Sequence, residues 1–384
     1  MTLSAPHQLR LRFFDLETVL RFDSQAHLEY FDQLYSHFRV DGISTPGQLV
    51  AEFALLTGSN NDWGQPVMIL DSEVWPLHDA NVPAGFFYDN ILCNILAKIR
   101  SHFLLHAGVV TAKGQGIIIV ADSFHGKTTL VLELVRRGFK FLSDDTAAIG
   151  RMDGRVHPFP RSLRIRRETL ELTGFSNKLA KTPIGLERLT LDIEALKPGS
   201  LGEAAAISDI IILQNPDESM TPERSGSTTR ELEVYIDRLD DTFLVAVESI
   251  ESLLCLRVVI ENDFPTLQFQ TTREMYVLSQ IELLCQQHRI LMLNINNHQF
   301  ERRPTFRASP YLETVSNSQA TLELLRRFQG GHRSALLCEE FGGSSTQLYI
   351  ELATLISNAN CYRLFVGHLT EMADLVCDLV ESPV

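Results

Sequence analysis

Residues Leu105 to Ile149 read LHAGVVTAKGQGIIIVADSFHGKTTLVLELVRRGFKFLSDDTAAI, and their order decides the fold. Gly116 to Ala121 is a short, continuously apolar run of the kind buried in the middle of a sheet. Asp122, Ser123, Phe124, His125 and Gly126 form a turn, and Lys127 to Arg137 has the pattern of a helix ended by Gly138. Its apolar residues Leu130, Val131, Leu134 and Val135 make one stripe, suited to packing on a sheet. FKFLSDD then reads as a second strand that delivers Asp144 and Asp145 to its C-terminal end. The prediction is an α/β protein whose ligand sits outside those strand ends.

A strand, a tight loop and a helix N-terminus in succession aim backbone N–H groups and the positive helix end at one spot, which suits a polyphosphate. The loop approximates GxxxxGK[ST]. On that pattern Ala121, Asp122, Ser123, Phe124, His125, Gly126, Lys127, Thr128 and Thr129 line a nucleotide's phosphates. Lys127 reaches the β/γ-phosphates, and the Thr128 hydroxyl ligates Mg²⁺. Two positions depart from the pattern: Ala121 replaces the first glycine, and Phe124 stands where a small residue is common. Alanine is strained there only if the backbone needs a positive φ. Because side chains alternate along a strand, one aspartate of the pair can face the metal and the other an acceptor hydroxyl.

His106, the A-D-S-x-x-G-K-T loop, the R-R-G turn and S-D-D resemble the catalytic core of the bacterial HPr kinase/phosphorylases and their relatives. The spacings that carry the resemblance are 21 residues from His106 to Lys127 and 17 from Lys127 to Asp144. It is strong over about residues 100–150, weaker to about 215, and returns faintly at CYRLFVGHLTEMADLV (361–376). The resemblance implies a core fold shared with phosphoenolpyruvate carboxykinase, with ATP and Mg²⁺ bound by the loop. It also implies Asp144 as general base, Asp145 (with Thr128) at the metal, and His106 supporting Asp144. Catalysis then rests on Asp144, Asp145, His106 and Lys127. The E-I-R-G segment of those kinases is absent, which argues against HPr itself as substrate. PFPRSLRIRRE (158–168) occupies roughly its place, and Arg161, in a proline-containing turn, is the preferred phosphate-binding arginine.

The sequence has 384 residues, with 34 Lys+Arg against 48 Asp+Glu and a net charge of −14, which disfavours nucleic acid and anionic membrane as partners. Cys93, Cys255, Cys285, Cys338, Cys361 and Cys377 lack CxxC spacing and read as reduced core thiols. No apolar run approaches 18 residues, and a soluble, cytoplasmic protein is expected.

Two parts are expected: a small N-terminal α/β region over 1–84, and a kinase-like nucleotide-binding domain over 85–384 with an insertion or extension around 217–335. In the first, LRLRFF, FALL and PVMIL read as strands and His27 to Phe38 as a helix. Gly85 to Phe103 reads as a long helix and 207–216 as a buried strand, with 215–232 a polar loop or flap. Helical patterns lie near 237–254 and 272–288, and 336–345 reads as structural.

The expected activity is ATP-dependent phosphoryl transfer to a Ser/Thr or other hydroxyl of a protein, peptide or small molecule. The resemblance also makes a homo-oligomer an expectation. A second class is a non-catalytic ATP-binding sensor or scaffold with an altered loop; the retained Lys127, Thr128, Asp144, Asp145 and His106 oppose it. Carboxykinase chemistry would need an oxaloacetate site that the sequence does not show.

Overall fold

The computed structural model describes residues 5–40, 49–58, 61–71, 73–77, 84–122, 125–176, 188–215, 229–261, 264–290, 292–297, 309–327 and 345–381. The N-terminal strand signals become a sheet ordered β1-β2-β3-β4-β5: His7–Phe13, Leu16–Phe22, Leu49–Leu56, Val67–Leu70 and Glu73–Pro76. Helix α1 is Gln25–Leu34, and α2 is Ala84–Lys98. The helix expected over 85–103 therefore stops early. HFLL (102–105) is a strand, because it pairs with 147–150 in the central sheet.

That central sheet takes β6 (His102–Leu105), β7 (Gly108–Ala112), β8 (Gln115–Val120), β9 (Lys140–Ser143), β10 (Ala147–Gly150) and β11 (Arg155–His157). Helix α3 (Lys127–Arg137) joins β8 to β9. A two-stranded ribbon, β12 (Leu163–Arg166) and β13 (Arg188–Leu191), lies beside it with short helices α4 (Arg167–Leu172) and α5 (Ile193–Leu196). Strand β14 (Ala205–Gln214) then returns to the sheet, parallel to β8.

A separate sheet follows, with its own core around Leu232, Val234, Phe243, Leu267, Phe269 and Ile281. Its elements are β15 (Arg230–Ile236), α6 (Asp241–Glu248), β16 (Leu253–Glu261), β17 (Phe264–Thr271), α7 (Glu274–His288) and β18 (Met292–Asn297). The sheet order is β16-β17-β15-β18, the split βαβ arrangement of ferredoxin-like units. Two expectations change here. The helix read over 237–254 ends at Glu248, and Arg230–Leu232 of the supposed polar loop begin a strand.

The chain re-enters the central sheet through β19 (Tyr311–Thr314), α8 (Asn317–Leu325), α9 (Ser345–Leu355), β20 (Asn360–Phe365) and α10 (Leu369–Glu381). Strand β20 pairs with β14 in parallel. The stretch 336–344 and Cys338 lie outside the described residues. Of the other cysteines read as core thiols, Cys285 and Cys361 are buried, whereas Cys93 and Cys255 are exposed. No helix among the described residues is long and apolar enough to cross a membrane.

Two packing features place the site. Leu130, Val131, Leu134 and Val135 of α3 are all buried, as the stripe predicts, and so are Leu132 and Glu133. Met372, Ala373 and Val376 of α10 share the core that α3 forms with the sheet. Arg137 ties the two helices, donating to Asp374 Oδ1 at 2.5 Å and to the Thr370 carbonyl at 2.9 Å. The N-terminal layer is likewise not detached: Ile91 and Ile95 of α2, and Ile99 just after it, share one core with Leu11, Phe53, Leu104, Ala148 and Phe159. Phe159 belongs to the turn that carries Arg161.

Candidate phosphate-binding site

Strands β8 and β9 each run antiparallel to β7, which lies between them. Their C-terminal ends therefore open on the same side, as the strand–loop–helix–strand reading requires. At that edge α3 begins. Its N-cap, Gly126, is left-handed at φ +82°, a conformation that any side chain would strain. Ala121 is absent from the non-glycine residues with positive φ. Alanine in place of the motif's first glycine thus costs no backbone strain. Ser123 and Phe124 lie outside the described residues.

Lys127 crosses from the helix start toward β9. Its Nζ donates to the Asp144 carbonyl at 2.5 Å and lies 3.3 Å from Asp145 Oδ1, with the side chain only 10% exposed. Gly108 on β7 lets α3 approach closely through Val131. A Cβ there would come within 2.6 Å of Val131 Cγ2 and 3.5 Å of Lys127 Cγ. The aspartate pair follows β9 in a bend fixed by Ser143, whose Oγ accepts the N–H groups of Asp145 (3.2 Å) and Thr146 (2.9 Å). Ser143 was part of the recognised S-D-D string, but its anchoring role becomes visible only in the structure.

The two carboxylates face different partners. Thr128 Oγ1 donates to Asp144 Oδ2 at 3.4 Å. Asp145 is surrounded by nitrogen groups: His106 Nδ1 lies 2.9 Å from Oδ1, Arg161 Nη2 donates to Oδ2 at 2.5 Å, and Lys127 stands at 3.3 Å. His106 thus meets Asp145 and Thr128 meets Asp144, whereas the resemblance implied His106 beside Asp144 and a metal shared by Thr128 and Asp145. His106 also occupies the connector between β6 and β7 instead of a strand, and its side chain is 41% exposed.

Electrostatics follow these contacts. Enclosure by the protein pushes the Asp145 carboxyl up, but Lys127, His106 and Arg161 outweigh it and hold the group well below the usual carboxylate range. Asp144 moves the other way: enclosure and the Asp145 charge raise it, only partly countered by Lys127, Arg161 and His106.

Arg161 reaches Asp145 from the 158–162 turn, with its side chain 7% exposed. The N-terminal layer supports that turn directly. Ser162 N donates to the Leu34 carbonyl at 3.0 Å, and Ser162 Oγ to the Gln33 carbonyl at 2.7 Å, both at the end of α1. Arg164 is exposed on β12, and Arg166 and Arg167 are half-buried. His125 is buried in the loop, Thr129 is half-buried, and Asp122 is exposed and paired with Arg327 at 2.7 Å. Arg327 carries no motif and was not anticipated.

The donor set suits a nucleotide's phosphates and a magnesium ion. It offers a helix N-terminus, a lysine, a buried arginine, and a hydroxyl beside a carboxylate. Among the described residues no three His, Cys, Asp or Glu side chains cluster so as to hold a metal by themselves. Magnesium commonly takes few protein ligands and completes its shell with phosphate oxygens and water, so this set fits it.

Fold and site together define an α/β protein in which a strand–loop–helix turn stands beside a paired-aspartate strand end, a candidate phosphate site. Part of the chain is similar in sequence to proteins named HPr kinase/phosphorylase. The chain is 31% identical to the enzyme of that name from Latilactobacillus sakei over 141 residues, covering 36% of this chain and 40% of the relative. It is 30% identical to that of Streptococcus sanguinis over 139 residues, with the same coverage, and 32% identical to that of Clostridium beijerinckii over 115 residues, 30% of this chain and 37% of the relative. The chain thus spans about 40% of the length of the first two of these relatives. The chain is thus similar to the HPr kinase/phosphorylases over about a third of its length. The HPr(Ser) kinase/phosphatase structure from Coxiella burnetii aligns with 48% of this chain and 95% of that one, at 16% identity and a TM-score of 0.21, too low an overlap to bear on the fold. No protein-family model matches the chain.

Proposed function

We propose that the chain transfers the terminal phosphoryl group of ATP to a hydroxyl acceptor, a serine or threonine of a protein or peptide or a small hydroxyl compound. The observation that carries this reading is the convergence of Lys127, His106 and Arg161 on Asp145 at the head of α3. Three cationic or proton-bearing groups and a helix N-terminus gather where a transferred phosphoryl group needs charge neutralised.

Roles follow from the contacts. Thr128 and Asp144, hydroxyl beside carboxylate, would hold Mg²⁺, which when bound screens the phosphate charge. Lys127 and Arg161 turn from Asp145 to phosphate oxygens. That withdraws much of the positive charge around Asp145 and strengthens it as a base. Asp145 then takes the proton of the acceptor hydroxyl, while His106 keeps its carboxylate oriented. This exchanges the roles that the family resemblance suggested for the two aspartates.

The test is phosphate transfer from MgATP by the purified protein to serine-containing peptides, free serine and host lysate, beside Lys127→Ala and Asp145→Asn. Transfer lost in both variants supports the reading. Nucleotide binding lost in Lys127→Ala with no transfer by any form would favour an ATP-binding sensor. Absence of binding by the wild type would refute a nucleotide site.

A further inference from the structure

Arg327 touches the Asp122 end of the phosphate loop and the β6–β7 connector from a distant part of the chain. It follows α8, 205 positions from Asp122. Its backbone carbonyl accepts the His106 N–H at 2.6 Å, and its Nη2 donates to Asp122 Oδ1 at 2.7 Å. Nη1 donates to Glu323 Oε2 at 2.6 Å and to the Glu323 carbonyl at 2.9 Å, one turn back on α8. The side chain is 12% exposed, so its conformation is set by packing and by these bonds, whereas Asp122 is 61% exposed.

A phosphate loop works as a preformed set of N–H donors, and disorder in it is an entropic cost at the moment of binding. Lys127 and the α3 N-terminus secure the far end of this loop. The near end, at Asp122, is gripped by a guanidinium that is itself pinned to a helix. Through its carbonyl the same residue fixes the connector that presents His106 to Asp145. A shift of α8 would therefore move the loop and the histidine together.

We propose that Arg327 is a positioning residue of the phosphate site, holding the Asp122 end of the loop and the His106 connector in one arrangement. It thereby makes the α8 segment, through which the chain returns from the β15–β18 unit, a structural part of that site. The inference rests on the phosphoryl-transfer reading for its consequence and on the two contacts for its geometry.

Two measurements separate those layers. Amide hydrogen exchange of the nucleotide-free protein is compared for wild type, Arg327→Ala and, as a control, Arg326→Ala, whose guanidinium also meets Glu323 but whose side chain is 71% exposed. Exchange in peptides covering 105–108 and 121–128 should rise about five-fold in Arg327→Ala alone, the scale of a partly exposed charge pair. MgATP affinity is then measured for Arg327→Ala, Arg327→Lys, Asp122→Ala and the Asp122→Ala/Arg327→Ala double variant. Positioning predicts about five-fold weaker binding in each alanine single variant, no further loss in the double, and partial recovery in Arg327→Lys.

Unchanged exchange in Arg327→Ala would overturn the proposal. So would additive losses in the double variant, or full affinity in Asp122→Ala. A wild type that binds no MgATP would instead remove the phosphoryl-transfer reading, and the exchange comparison would still decide whether Arg327 holds the loop.

Discussion

Arg161 Nη2 donates to Asp145 Oδ2 at 2.5 Å, joining a turn supported by the N-terminal layer to the strand end that carries the aspartate pair. The guanidinium also lies 3.5 Å from the Thr146 hydroxyl, and its ring neighbour Phe159 belongs to the N-terminal core. Arg161 is thus held beside the aspartate pair before any phosphate arrives, and in the proposed mechanism its guanidinium exchanges Asp145 for a phosphate oxygen. Removing it should cost mainly turnover. Arg161→Ala is expected to lower the rate of phosphate transfer by about 100-fold, and Arg161→Lys by about 10-fold, because the ammonium lacks the guanidinium fork. Steady-state kinetics of both variants check this, and an unchanged kcat in Arg161→Ala would refute it.

The division of labour between the aspartates is separately testable. If Asp145 accepts the acceptor proton, Asp145→Asn should lose transfer by about 1,000-fold while still binding MgATP. Asp144→Asn should instead raise the Mg²⁺ concentration needed for half-maximal binding, since it weakens the site shared with Thr128. Titrations of Mg²⁺ at saturating ATP distinguish the two. The opposite outcome, with Asp145→Asn affecting Mg²⁺ and Asp144→Asn only turnover, would restore the assignment suggested by the family resemblance.

The local pattern around the loop was legible because its signals are short-range. Helix α3 spans Lys127–Arg137 and ends at a left-handed Gly138, as the stripe and the glycine predict. Strand β14 also lies where its apolar run suggested, and β20 and α10 fall on the segment 361–376 where the resemblance returned. The β15–β18 unit was not legible. Its order depends on pairings such as Leu232 with Phe269 and Val234 with Ile295, which no local periodicity encodes. The helix-like run 237–254 even spans the turn into β16. At the site, Lys127, Arg161 and both aspartates could be named from the sequence, but which carboxylate meets His106 depends on the bend that Ser143 fixes. Arg327 had no signal at all, being a lone arginine at a helix end far from the loop.

Gly108 offers a test of the packing beneath Lys127. An alanine there would place its Cβ 2.6 Å from Val131 Cγ2, and Val131 is fully buried in α3. The clash should cost roughly 1–3 kcal/mol, more than the gain of under about 1 kcal/mol from a stiffer unfolded chain. Gly108→Ala should therefore melt at a lower temperature and bind MgATP more weakly, because α3 and the Lys127 stem move together. A melting temperature equal to the wild type's would show that β7 and α3 are less tightly apposed than these distances state.

His102 should give the fold a pH dependence that has nothing to do with phosphate. It is buried, stacks on Phe14 at 3.6 Å and meets the His157 ring edge-on at 4.8 Å, where the N-terminal layer packs on β6. Burial, and then the neighbouring His157 charge, push its pKa down to about 4, against the opposing pull of Asp15 and Asp153. An unfolded histidine titrates near 6.5, so the unfolded chain takes up this proton first as pH falls. Its effect on stability is absent above about pH 6.5, grows between 6.5 and 4, and is constant below 4. Over that window the loss reaches up to about 3 kcal/mol, less to the extent that water reaches the ring. Replacing the imidazole with a ring that does not titrate removes the effect but keeps the stacking on Phe14. Urea unfolding at pH 7.5, 6.0 and 5.0 should thus show wild type losing stability faster than His102→Phe, with the two curves diverging only below pH 6.5. Parallel pH dependences in the two proteins would mean that His102 takes up its proton as readily in the folded chain as in the unfolded one.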